Sequence, residues 1–141
     1  MGKFLREHGL YLAWVVSLIS LFGSLYLSEV LNLLPCTLCW YQRILAYPLA
    51  IILGIAIFRN DRKVFAYAMP LALLGVGVAL YHVVQQELHI SLIPQLCTKQ
   101  PSCVARTAAI FGVVTPPMLS GMAFLSMTFF LWTARPRNEN L

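Results

Sequence analysis

The chain has 141 residues, of which 60% are apolar and only 11% charged, with a formal net charge of +5 and a mean hydropathy of +0.77. A soluble domain of this length carries about 25% charged residues, so a water-soluble enzyme and a disordered tail are both disfavoured. The length suits one domain, read as a single membrane domain over residues 1–141.

In chain order, residues 9–28 run for twenty positions without a charge. Residues 44–58 form a shorter run closed by Arg59, residues 64–86 a run of twenty-three, and residues 107–134 a run of twenty-eight divided by Pro116-Pro117. A membrane-crossing helix needs about 20 apolar residues. The second run reaches that length only if its helix starts near Cys36, just after Pro35, a helix-start signal. The expected helices are therefore 9–30, 36–58, 64–86 and 117–134, with a long connection over 87–116. A connection that long in a compact domain is usually functional. The fold class expected is an all-α integral membrane protein, an antiparallel bundle of four transmembrane helices. The opening residues 1–7 and the first run look like a signal peptide, but the run is longer, lacks an Ala-x-Ala site and is followed by three more.

The basic residues orient the bundle. Lys3, Arg6, Arg59, Arg62, Lys63, Arg135 and Arg137 fall at one set of helix ends, and only Arg43, Lys99 and Arg106 at the other. By the positive-inside rule both termini are cytoplasmic. The basic residues form no stripe interleaved with aromatics, so nucleic acid is not an expected partner.

All four cysteines, Cys36, Cys39, Cys97 and Cys103, then lie on the outer side, where disulfides persist. Cys36-Thr37-Leu38-Cys39 places two sulfurs on one face at a helix start, where free N–H groups and the helix dipole favour a thiolate. Arg43 lies one turn beyond Cys39, and an arginine at membrane depth suggests a function. Cys97 and Cys103 close a small ring in the long connection, a bridge better placed for exchange than for bracing. Thiol exchange is weighed against two alternatives: a scaffold or assembly subunit with two structural disulfides, and a four-cysteine zinc site, which would need both pairs to meet around one ion. No metal is expected.

The stretch Pro35-Cys36-Thr37-Leu38-Cys39-Trp40-Tyr41-Gln42-Arg43 resembles the P-C-x-L-C-x-Y-x-R signature of the DsbB family of disulfide bond formation proteins, and the short C-x5-C ring resembles its BdbC type in Bacillus-like bacteria. The resemblance covers nearly the whole chain. It implies a quinone-dependent protein-disulfide oxidoreductase of the bacterial cell membrane, monomeric, surrounded by membrane lipid, with both cysteine pairs extracytoplasmic. The implied partner is a DsbA-like (BdbD-type) thioredoxin-fold thiol oxidase, and the implied cofactor is menaquinone or ubiquinone. Carried over by motif, Cys36 and Cys39 are the membrane-proximal pair, with Cys39 facing the quinone and Arg43 assisting it. Cys97 and Cys103 meet the partner, with Cys97 attacked first. His82 is the nearest match to a histidine of the quinone site, and His89 the second candidate. Residues after Cys103 would form an amphipathic segment on the membrane. The five residues between Cys97 and Cys103 depart from the much longer segment of the best-studied branch, which leaves the order of exchange between the pairs open.

Overall fold

The computed structural model describes residues 1–32, 35–88 and 114–136. They fold into four long helices: α1 (Gly2–Glu29), α2 (Thr37–Arg59), α3 (Phe65–Leu88) and α4 (Pro116–Thr133). Contacts join α1 to α2, α2 to α3, α3 to α4 and α4 back to α1, so the helices close into a ring. Three helical segments are long and apolar enough to cross a membrane: Gly2–Glu29, Thr37–Arg59 and Arg62–Leu88, with mean hydropathies of 1.9, 1.6 and 1.9. The last begins with the 3₁₀ turn Arg62–Val64 that leads into α3. Helix α4 has 18 residues and is not among the three.

The helix boundaries follow from local chemistry. Helix α1 starts at Gly2 rather than at residue 9, because Lys3, Arg6 and Glu7 are good helix formers that an apolarity criterion discards. It unwinds where Asn32 adopts a left-handed conformation at φ 51°. Cys36, extended at ψ 173°, is the N-cap of α2 rather than its first residue. The other end of α2 closes on Asn60, also left-handed at φ 51°. There Asp61 N–H donates to Ala56 O at 2.9 Å and Asn60 N–H to Ile57 O at 3.2 Å, a Schellman closure. The Asp61 carboxylate then accepts from Lys63 N–H at 2.9 Å and starts the 3₁₀ turn. Helix α4 opens with Pro116 and Pro117 in its first turn, where a missing N–H costs nothing. It begins one residue ahead of the expected start at 117.

Between membrane helices there is no hydrophobic driving force, so association depends on close packing. Small residues permit it here. Ala13, Ala68 and Ala72 are fully buried beside Leu49, Leu53, Phe124, Met127 and Leu131. A Cβ on Gly75 of α3 would sit 2.3 Å from the Phe124 ring of α4. One on Gly9 of α1 would lie 2.7 Å from the Phe130 carbonyl oxygen of α4. These two glycines set the approach of α4 to its neighbours. Trp14 Nε1–H donates to Ala50 O at 3.1 Å and pins α1 to α2. Many large apolar side chains, Ile19, Phe22, Ile51, Leu74 and Met122 among them, point outward, as lipid-facing positions do.

Candidate functional site

The end of the bundle where α2 and α4 begin and α3 finishes is different in kind. Its buried residues include Cys36, Gln42, His82, Gln85, Gln86 and Thr115. Buried polar groups in a membrane protein are costly, and their clustering marks a site.

Cys36 at the N-cap and Cys39 at the third helical position have capping-box spacing, which turns the two side chains toward each other. Their sulfurs lie 3.1 Å apart as free thiols. His82, on the last turns of α3 and 1% exposed, brings its Nε2 to 3.5 Å from Cys36 Sγ. Cys36 packs with Leu38, Val78 and Tyr81, so Val78 and His82, one turn apart on α3, shield the same sulfur. Cys36 is buried, whereas Cys39 is half-buried and the more accessible of the two. Cys36 precedes the apolar span. The hydrogen bond with Cys39 holds its thiol well below the usual range, burial opposes this, and His82 adds to the lowering. The lowering favours a thiolate in the reduced pair.

Arg43 sits about 9 Å along α2 from its first residue, at 1.5 Å per residue. Its guanidinium donates to Ser24 O at 3.0 Å and to Ser28 Oγ, both on the last turns of α1. It also lies 5.4 Å from the centre of the Trp40 ring. The charge is thus met by a carbonyl, a hydroxyl and an aromatic face, which makes it tolerable at this depth. On an adjacent face of α2, Gln42 Oε1 accepts from Ser120 Oγ of α4 at 3.0 Å. Tyr81 OH accepts from Gln85 Nε2 at 2.9 Å within α3. Three buried polar atoms at this end, Gln42 Nε2, His82 Nδ1 and Thr115 Oγ1, have no hydrogen-bond partner among the described residues.

Of the site residues expected from sequence, Cys36, Cys39 and His82 come together, and Arg43 stands one turn below them on α2. Cys97, Cys103, His89 and the amphipathic segment after Cys103 lie outside the described residues. The sequence reading did not single out Gln42 and Ser120, nor Ser24 and Ser28. A usable signal existed for Gln42 and Gln85: each lies three residues past a candidate site residue, Cys39 and His82, on the same helix face.

A family model described as Disulfide bond formation protein DsbB matches residues 6–134. The chain belongs to the DsbB family. Curated relatives agree along almost its full length. A "Probable disulfide formation protein" of Coxiella burnetii is 44% identical over 132 residues, covering 93% of this chain and 90% of the relative. A protein of the same description from Chlamydia trachomatis is 44% identical, covering 93% and 95%. "Disulfide bond formation protein C" of Bacillus subtilis is 41% identical over 122 residues, covering 86% and 88%. No solved structure matches the chain significantly. DsbB-family membership and three helices of membrane-crossing length together make this a membrane protein of disulfide bond formation.

Proposed function

We propose that this DsbB-family chain re-oxidises an extracytoplasmic DsbA-like thiol oxidase and passes the electrons to a membrane quinone. In this reading α4 completes a four-span antiparallel bundle with both termini cytoplasmic and both cysteine pairs outside. The seven basic residues at one set of helix ends against three at the other support that orientation. Arg135 stacked 4.6 Å from the centre of the Trp132 ring, and Arg43 on Trp40, are cation–aromatic pairs of the kind interfacial anchors form, which supports the same reading. The observation that carries the proposal is the reduced Cys36–Cys39 pair with His82 at 3.5 Å, built into the end of an apolar bundle.

The surroundings fit a quinone. Its flat apolar ring with two carbonyl acceptors needs a greasy approach and donors, and the site offers both. Trp40, Tyr41 and Ile44 are exposed on the lipid side of α2, and the buried Gln42 Nε2 and His82 Nδ1 are unpartnered among the described residues. Cys39, His82, Arg43 and Gln42 would hold it, and when bound it supplies the acceptor for two electrons and two protons.

The chain's residues carry the exchange. A thiolate of the partner attacks Cys97 Sγ, the Cys97–Cys103 bond breaks, and Cys103 leaves as the thiol. The partner's second thiol displaces Cys97 and closes the partner's disulfide. The reduced loop pair then attacks the Cys36–Cys39 disulfide, re-forming its own bond and leaving the inner pair reduced. His82 and the helix start stabilise negative charge on the inner pair, Arg43 holds α1 against α2 beneath it, and Val78, Tyr81 and Leu38 exclude water from Cys36. Two steps can be checked separately. Purified protein given reduced partner should oxidise it beyond the stoichiometry of its own disulfides only when quinone is added, and a partner lacking its second, resolving thiol should be trapped on Cys97 as a mixed disulfide on a non-reducing gel. Repeated turnover of the partner without quinone would contradict the proposal.

A further inference from the structure

Cys36, Cys39 and His82 offer three ligand atoms, two sulfurs and an imidazole nitrogen, that all lie within 4.8 Å of one another. Tetrahedral zinc, with Zn–S near 2.3 Å and Zn–N near 2.0–2.1 Å, sets ligand separations of about 3.8 Å between sulfurs and about 3.6 Å between sulfur and nitrogen. The observed separations are 3.1 Å for Cys36–Cys39 and 3.5 Å for Cys36–His82. Opening the two sulfurs by about 0.7 Å and closing Cys39 on His82 from within 4.8 Å would place a cation at bonding distance from all three. The two cysteines are fixed by the helix start and the histidine by α3, so the ligands come from two rigid elements already packed together.

We propose that the reduced Cys36–Cys39 pair and His82 form a binding site for a thiophilic divalent cation of the zinc type, which locks the pair in its reduced state. This is not the four-cysteine arrangement weighed from the sequence, since it needs nothing from the loop pair. Binding displaces to water whatever thiol proton the pair still holds and forms two metal–sulfur bonds and one metal–nitrogen bond. Two thiolates and one divalent cation sum to zero charge, which suits a place where Cys36 and His82 are buried. Three protein ligands leave the fourth position open to water. While the cation is bound, the sulfur electron pairs that a disulfide requires are held in metal bonds. Occupancy therefore opposes oxidation, and oxidation expels the cation. The site would make the protein sensitive to zinc-type cations in its outer compartment. The inference rests on the same inner pair as the proposed relay but not on its quinone step.

The test uses the full chain with Cys97→Ser and Cys103→Ser, reduced under anaerobic conditions in detergent and titrated with Co²⁺. One Co²⁺ per chain is expected, with thiolate-to-cobalt charge transfer and the ligand-field bands of four-coordinate cobalt, displaced by Zn²⁺. His82→Ala should weaken the affinity by about tenfold or more, and protein oxidised to the Cys36–Cys39 disulfide should bind no cation. X-ray absorption on the zinc-loaded protein needs no change at His82 and should show two sulfurs at about 2.3 Å and an imidazole nitrogen at about 2.0–2.1 Å. Absence of stoichiometric binding, a shell without imidazole, or equal binding by the oxidised protein would overturn the inference. Metal-free wild-type chain assayed for quinone-dependent partner oxidation separates the two ideas: activity without metal binding defeats only this inference, and metal binding without quinone dependence defeats only the relay.

Discussion

At the end of the bundle where α2 begins, the buried positions hold Cys36, Gln42, His82, Gln85, Gln86 and Thr115. Through the middle and toward the other end they hold Ala13, Leu49, Leu53, Ala68, Ala72, Phe124, Met127 and Leu131. The second region is closely packed, with glycines where a Cβ would collide. The first holds three of the four buried polar side-chain atoms without a partner among the described residues, the fourth being Tyr47 Oη against the apolar core. Uncompensated polar burial costs about 1–3 kcal/mol per group, so the sulfur end is maintained at the expense of stability that the apolar region supplies. Substitutions should accordingly separate: those at the sulfur end change chemistry and spare the fold, and those in the apolar region do the reverse.

The largest effect is expected for Cys39→Ser. It should abolish quinone-dependent oxidation of the partner while helix content by circular dichroism stays at the wild-type level. A comparable loss of helix would break the separation. Arg43→His should come next, raising the KM for quinone severalfold with a smaller change in the KM for the partner. Because Arg43 also ties α2 to Ser24 and Ser28 of α1, a modest loss of stability should accompany it. An unchanged quinone KM would reduce Arg43 to an anchor.

In the apolar region, Gly75→Ala should destabilise by about 1–3 kcal/mol, because the added methyl meets the Phe124 ring at 2.3 Å. Unfolding in mixed micelles measures this, and the folded fraction should retain wild-type turnover. Trp14→Phe is expected to be the smallest change, about 0.5–1.5 kcal/mol from the lost hydrogen bond to Ala50 O, with no change in quinone KM. Gln42→Leu sharpens the comparison from the other side. It removes a buried donor that lacks a partner among the described residues together with the acceptor of Ser120 Oγ, which keeps Pro117 O, so stability should change little while the quinone KM increases.

How much of this the sequence revealed varies with the range of the interaction. Pro35 and the apolar run beyond Cys36 located the start of α2 to within a residue, because helix starts are written in local chemistry. The turn at Asn60 was legible as a tight reversal, since Arg59, Asp61, Arg62 and Lys63 interrupt two apolar runs. The start of α1 was misplaced because hydropathy reports what lies in lipid, not where a helix begins. At the site, the i, i+3 spacing of Cys36 and Cys39 required the sulfurs to meet. His82 was singled out only by resemblance to the family, and its position beside Cys36 depends on how α3 packs on α2, which no local pattern encodes. The partners of Arg43 on α1 and of Gln42 on α4 were illegible for the same reason.

The central claim is that electrons leave a soluble dithiol and reach a lipid-phase acceptor through this chain's sulfurs. An anaerobic single-turnover experiment with reduced partner, oxidised protein and quinone tests it most directly. The account predicts one quinol formed for each partner disulfide, with none formed by the Cys39→Ser protein. Partner disulfide appearing without a matching quinol, or quinol formed equally well by Cys39→Ser, would contradict it.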